Sequence, residues 1–122
     1  MVKTVTSFGR SGLSDWLVQR ISAVVMSAYL IFMLVYFCTH ANISYEQWVA
    51  LHSSLAMRIF GLLTIVSLAA HAWIGLWCVL TDYITVRLMG PKATSIRMLL
   101  QLVMIVIALF YVVWAIDILW GI

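Results

Sequence analysis

Residues 21–38, 59–80 and 98–116 contain no Asp, Glu, Lys or Arg, and the polar positions gather between and beyond these three stretches. A helix rises about 1.5 Å per residue, so each stretch crosses a roughly 30 Å hydrocarbon core once its flanks are added. The pattern predicts an all-α integral membrane protein with three transmembrane helices, forming a single domain over 1–122. The spans cover approximately 16–38, 58–82 and 96–119. Between the first two, Ser44-Tyr45-Glu46-Gln47 has the spacing of a capping box, so a short interfacial helix begins there, anchored by Trp48. Gly90-Pro91 marks the turn before the last span, to which Thr94 or Ser95 offers an N-cap.

Composition sharpens the solvent. Of the 122 residues 66% are hydrophobic and 9% charged, against about 25% charged in soluble domains, so most of the surface faces something other than water, and the solvent is a bilayer. A net charge of +3 is too thinly spread for a nucleic-acid surface, but its placement orients the chain. Lys3 and Arg10 in the N-terminal tail and Arg87, Lys92 and Arg97 in the second loop outweigh Glu46 and Arg58 of the first loop and Asp117 near the C-terminus. The positive-inside rule then predicts a cytoplasmic N-terminus and a periplasmic C-terminus. A polar start followed by a span too long for a signal peptide's apolar region reads as a mature bacterial inner-membrane protein. Cys38 and Cys78, each inside an apolar run, read as small buried hydrophobes, not as a disulfide or an iron-sulfur framework.

The second span carries the candidate chemistry. At 100° per residue, Thr64, Ser67, His71, Gly75, Cys78 and Asp82 all fall within about 40° of His71, forming a small or polar stripe. The opposite face, Leu62, Val66, Ala69, Trp73, Leu76 and Leu80, is what lipid selects, so the stripe is expected to face protein or a cofactor. Either it is a packing seam in which His71 donates one hydrogen bond, or His71 works. A mid-membrane imidazole serves as proton relay, quinone contact or axial ligand to haem iron. Gly75, one turn on, leaves room for a flat macrocycle, and Ser67, one turn earlier, could orient the ring as its hydrogen-bond partner, which favours haem. His40 and His52 belong to the first loop, so a second axial ligand is expected from another chain.

A second cluster is expected where the first span begins and the second ends. Arg20 is read as lying level with Asp82 and Tyr83, on a face shared with Ala23 and Ser27. Two readings stand: Arg20 snorkels to lipid phosphate while Asp82 ends its helix, or the three form a site. In such a site the Tyr83 hydroxyl donates to a quinone carbonyl, Arg20 supplies positive charge to quinone or haem propionate, and Asp82 orients or exchanges protons.

Together these residues resemble the smaller hydrophobic membrane-anchor subunit, the D chain, of bacterial succinate dehydrogenase (respiratory complex II), a cytochrome b-type anchor. The resemblance rests on Gly9-Arg10-Ser11-Gly12 with Asp15 and Arg20, Ser44-Tyr45-Glu46-x-Trp48, His71-Ala-Trp-Ile-Gly-x-Trp, Thr81-Asp82-Tyr83, Arg97-Met-Leu-Leu-Gln-Leu-Val and Trp120-Gly121. Residues 84–95 depart from the family pattern by a longer segment containing Gly90-Pro91-Lys92. The resemblance implies that His71 is an axial ligand of haem b, the other ligand coming from the second membrane anchor, the C chain. It further implies that Tyr83 hydrogen-bonds ubiquinone near the iron-sulfur subunit, that Asp82 supports that site, and that Arg20 lies by the haem propionates and quinone pocket. FAD and the iron-sulfur clusters would sit on the flavoprotein and iron-sulfur subunits, and no activity is expected from this chain alone. The rivals are an anchor of a fumarate reductase or of a menaquinone-linked homologue and, from another class, a small structural or pore-forming three-span protein.

Overall fold

A computed structural model describes residues 12–121, and within them every regular element is helical. Helix α1 runs Gly12–Thr39, α2 Tyr45–Ser53, α3 Leu55–Tyr83, α4 Val86–Met89 and α5 Ala93–Trp120, with a 3-10 turn at Gly90–Lys92 leading into α5. Helices α1, α3 and α5 have 28, 29 and 28 residues, more than the about 20 that a bilayer core requires. They overshoot the expected spans by a few residues because helix continues into the interface, where the flanking polar residues can stay wet. Lys3, Arg10 and the Gly9-Arg10-Ser11 portion of the motif lie outside the described residues.

Local chemistry fixes the joints. The Thr39 hydroxyl donates to the Val35 carbonyl at 2.8 Å near the end of α1, and the chain turns through Asn42 at φ 59, a left-handed conformation Asn tolerates. The expected capping box forms: the Gln47 amide donates to Ser44 Oγ at 3.2 Å, and the Ser44 amide donates to Gln47 Oε1 at 2.9 Å. Ser54, extended at φ −72 and ψ 143, ends α2 and caps α3 by accepting from the Met57 amide at 3.3 Å. Trp48 stacks on Phe37 of α1 with ring centroids 5.7 Å apart, which ties the short helix to the bundle.

The end of α5 near the second loop differs from expectation. Neither Thr94 nor Ser95 caps it, because the 3-10 turn after Gly90 (φ 75) hands the chain to α5 already coiled, so the helix starts at Ala93 with no side-chain cap.

Helix α3 packs between α1 and α5, while α2 rests on α3 and α5. The buried apolar set is small, namely Met33, Met57, Ile74, Leu80, Ala93 and Leu119, and large apolar side chains cover the outside of all three long helices. Such a surface is stable only in lipid or against another apolar chain. This central placement corrects the expected faces of α3. Leu80, assigned to lipid, is 1% exposed, and Ala69 lines the α3–α5 groove, because a middle helix is flanked on two sides. Cys38 and Cys78, expected to be buried, are exposed. Both lie on membrane-spanning helices, where exposure means contact with apolar surroundings.

Candidate functional site

His71 lies near the middle of α3, half-buried against α1. Two polar side chains of α1 meet its ring. Ser22 Oγ stands 3.0 Å from His71 Nδ1, and the Gln19 side-chain amide nitrogen stands 3.5 Å from Nε2. Ser22 is 3% exposed, and its hydroxyl also donates to the Gln19 backbone carbonyl at 3.1 Å. Gln19 Oε1 is buried without a partner. Gln19 and Ser22 escaped the sequence reading, although a Gln and a Ser one turn apart in the first apolar span are the signal that could have found them. The sequence reading gave the ring's partner role to Ser67. That residue is half-buried one turn before His71 and makes no hydrogen bond to the ring, whose nitrogens face Ser22 and Gln19 of α1.

Beside His71 a groove of about 520 Å³ runs between α1 and α3, past Ala23, Met26, Ser27, Thr64 and Leu68. That volume lies within the roughly 300–1,000 Å³ typical of cofactor and ligand sites. A Cβ added to Gly75 would meet nothing within 4 Å, and Cys78 and Asp82 beyond it are exposed. The polar stripe therefore borders open space along most of its length.

The Ser22–His71 contact also sets the antiparallel register of α1 and α3, and with it the position of Arg20. Arg20 lies two residues before Ser22, near the level of His71, whereas Asp82 lies eleven residues beyond His71, about 16 Å further along the axis. Arg20, Asp82 and Tyr83 are thus not gathered at one level as expected. The Arg20 guanidinium reaches back along its own helix and sits 5.3 Å from the Trp16 ring centroid, a cation–π contact. Asp82 occupies the last turn of α3, and Tyr83, 66% exposed, is its final residue.

The other histidines stand apart. His40 stacks on Tyr36 at 4.3 Å, and His52, 5% exposed, donates from Nδ1 to the Trp48 carbonyl at 3.0 Å. Both belong to the α1–α2 end of the bundle. No cluster of three or more His, Cys, Asp or Glu gathers among the described residues, so the site offers a single imidazole.

Three long apolar helices, with a stripe of small and polar side chains along the middle one, define a multi-pass helical membrane protein. The chain belongs to the family described as succinate dehydrogenase/fumarate reductase transmembrane subunit, which matches residues 3–113. It is 43% identical over 111 residues to the succinate dehydrogenase hydrophobic membrane anchor subunit of Coxiella burnetii (strain RSA 493 / Nine Mile phase I), covering 91% of this chain and 90% of that one. The resemblance read from the His71 and Asp82-Tyr83 motifs holds at the level of the family. The protein is a subunit of an oxidoreductase complex.

Proposed function

We propose that this chain anchors the flavoprotein and iron-sulfur subunits of a succinate dehydrogenase to the bacterial inner membrane, its N-terminus cytoplasmic. With a second anchor subunit it shares haem b and forms part of the ubiquinone-reduction site. The observation that carries this reading is His71, an imidazole at mid-span beside an open groove, with one nitrogen engaged at 3.0 Å and the other met only at 3.5 Å.

The residues present fit a haem. His71 would hold the iron through one ring nitrogen, with the small side chains of Ala23 and Ser27 lining the groove beside it and open space at Gly75 one turn on. Gln19 Oε1, next to the His71 ring, is buried without a hydrogen-bond partner, so the polar groups around the ring are not all satisfied among the described residues. His40 and His52 are held elsewhere, so any further ligand to the iron would come from a partner subunit. When bound, haem b supplies one-electron storage and transfer.

The chain's own residues position and polarise. Tyr83, exposed at the rim, donates its phenolic hydrogen to a quinone carbonyl and stabilises charge developing on that oxygen. Asp82, beside it and exposed, orients or exchanges protons at the aqueous boundary. Arg20, near the level of His71, pairs with a haem propionate, and its distance along the axis from Tyr83 favours that role over the quinone pocket. The apolar walls of the groove keep water from the His71 ring and strengthen its polar interactions.

Purification through a tag on this chain, with a reduced-minus-oxidised visible spectrum, tests the proposal. A b-type signal with co-purifying flavoprotein and iron-sulfur subunits, lost or altered in His71→Ala, is the expected result. A colourless chain that arrives alone from intact membranes refutes it. Succinate and fumarate turnover of the same preparation, set beside quinol content, assigns the direction.

A further inference from the structure

We propose that Ser22 is a positioning residue that selects which nitrogen of His71 is offered to haem iron: Nε2, with the proton held on Nδ1. The inference rests on reading His71 as an axial ligand and goes beyond it by assigning the tautomer and the residue that sets it.

A serine hydroxyl has one proton to donate and two lone pairs to offer. Ser22 commits its proton to the Gln19 carbonyl at 3.1 Å. Toward Nδ1, 3.0 Å away, it has only a lone pair left, so Nδ1 must carry the hydrogen and donate. The Gln19 amide nitrogen, 3.5 Å from Nε2, can donate to that nitrogen when it is unprotonated, which is compatible with the same tautomer. Ser22 is 3% exposed, which leaves little room for water to offer Nδ1 another partner. The Gln19 contact is long, at the limit of a useful hydrogen bond, and its amide oxygen has no partner, so Nε2 is the easier nitrogen to release.

An N–H that donates to an oxygen makes the imidazole a stronger electron donor and fixes the ring's rotation about its bond to the metal. Ser22 therefore favours the oxidised iron and holds the plane of the ring. The Ser22–His71 bond tunes haem from α1, which itself need not touch the iron.

The test uses the intact complex carrying Ser22→Ala, Ser22→Cys or Ser22→Thr, with three readouts: haem retained per flavin, the optical midpoint potential of the haem, and the low-spin electron paramagnetic resonance of the oxidised form. Ser22→Ala is expected to keep the b-type spectrum, raise the potential, shift the resonance and lose haem about tenfold more readily. Ser22→Thr restores the parental values because the hydroxyl returns. Ser22→Cys, a poorer acceptor of similar size, falls between, and it carries the test if Ser22→Ala does not assemble. Parental potential and resonance in Ser22→Ala, or in Ser22→Cys where Ala fails to assemble, overturn the inference while leaving His71 as ligand. Loss of function in Ser22→Thr equal to that in Ser22→Ala also overturns it, because bulk and not the hydroxyl would then matter. Absence of haem from the parental complex would sink the underlying reading instead, so the two failures are distinguishable.

Discussion

Gly61 is where α3 and α5 come close enough for one methyl group to matter. A Cβ placed there would lie 3.2 Å from Leu119 Cδ1 and 3.5 Å from Cδ2, and Leu119 is 8% exposed. For Gly61→Ala the tip of a leucine must move by a few tenths of an ångström. That cost opposes the roughly 0.8–1 kcal/mol by which Ala exceeds Gly in helix propensity, so the change should be near neutral. Gly61→Val adds a Cβ and two methyl groups against Leu119 and should cost about 1–3 kcal/mol. Leu119→Ala alone should cost less than the about 2–5 kcal/mol of a soluble core, because lipid tails are as apolar as the leucine and only packing is lost. Combined with Gly61→Val it removes the obstruction, giving a favourable coupling of about 0.5–3 kcal/mol. The assay is the temperature at which the tagged, detergent-solubilised complex loses half its monodisperse fraction. The midpoint should fall for Gly61→Val, stay near the parent for Gly61→Ala, and recover in part for the double variant. Equal tolerance of Val and Ala, or strictly additive effects, would refute the close approach of α3 and α5 at this point.

Three further substitutions follow from the described geometry. Tyr83→Phe should leave the haem spectrum unchanged and lower kcat/KM for quinone roughly 10- to 100-fold, the equivalent of one lost hydrogen bond to the reacting carbonyl; normal reduction at limiting quinone would remove Tyr83 from the site. Ser44→Ala breaks the capping box and should cost about 1 kcal/mol, seen as faster amide hydrogen exchange across Tyr45–Ser53 with unaltered haem; unchanged exchange there would show that packing alone holds α2. Gly90 adopts φ 75 and ψ −158, open in practice only to glycine, so Gly90→Ala should cost about 1–3 kcal/mol and lower the thermal midpoint of the complex; a parental midpoint would mean that the turn re-forms differently.

The spans, the capping box and the family motif were legible because each is local: a run without charge, a four-residue spacing, a histidine with Asp-Tyr after it. What sequence could not give was which helix lies in the middle. Read alone, α3 has one polar and one apolar face, and lipid is the natural home for the apolar one; in the bundle α3 has neighbours on two sides, and Leu80 is the most buried large side chain. The level of Arg20 failed for a related reason. Counting inward from the estimated membrane boundary set it beside Tyr83, whereas the register is set by Ser22 meeting His71, and a contact between residues 49 positions apart leaves no local signature. The Thr94 and Ser95 caps failed because a helix fed by a 3-10 turn has less need of one.

The position of the Ser22–His71 bond, halfway through the bundle, frees the connecting segments from a duty they carry in many proteins. A polar pair between helices in lipid is directional and adds on average about 0.6 kcal/mol to the packing of Tyr29 and Phe32 on Phe60 between the same two helices. With the alignment of α1 and α3 marked from within, the loops need only reach. Residues 84–95 can therefore be spent on a capped turn and a glycine kink without moving the imidazole. Lengthening or shortening that segment should change what docks there before it changes what happens at His71.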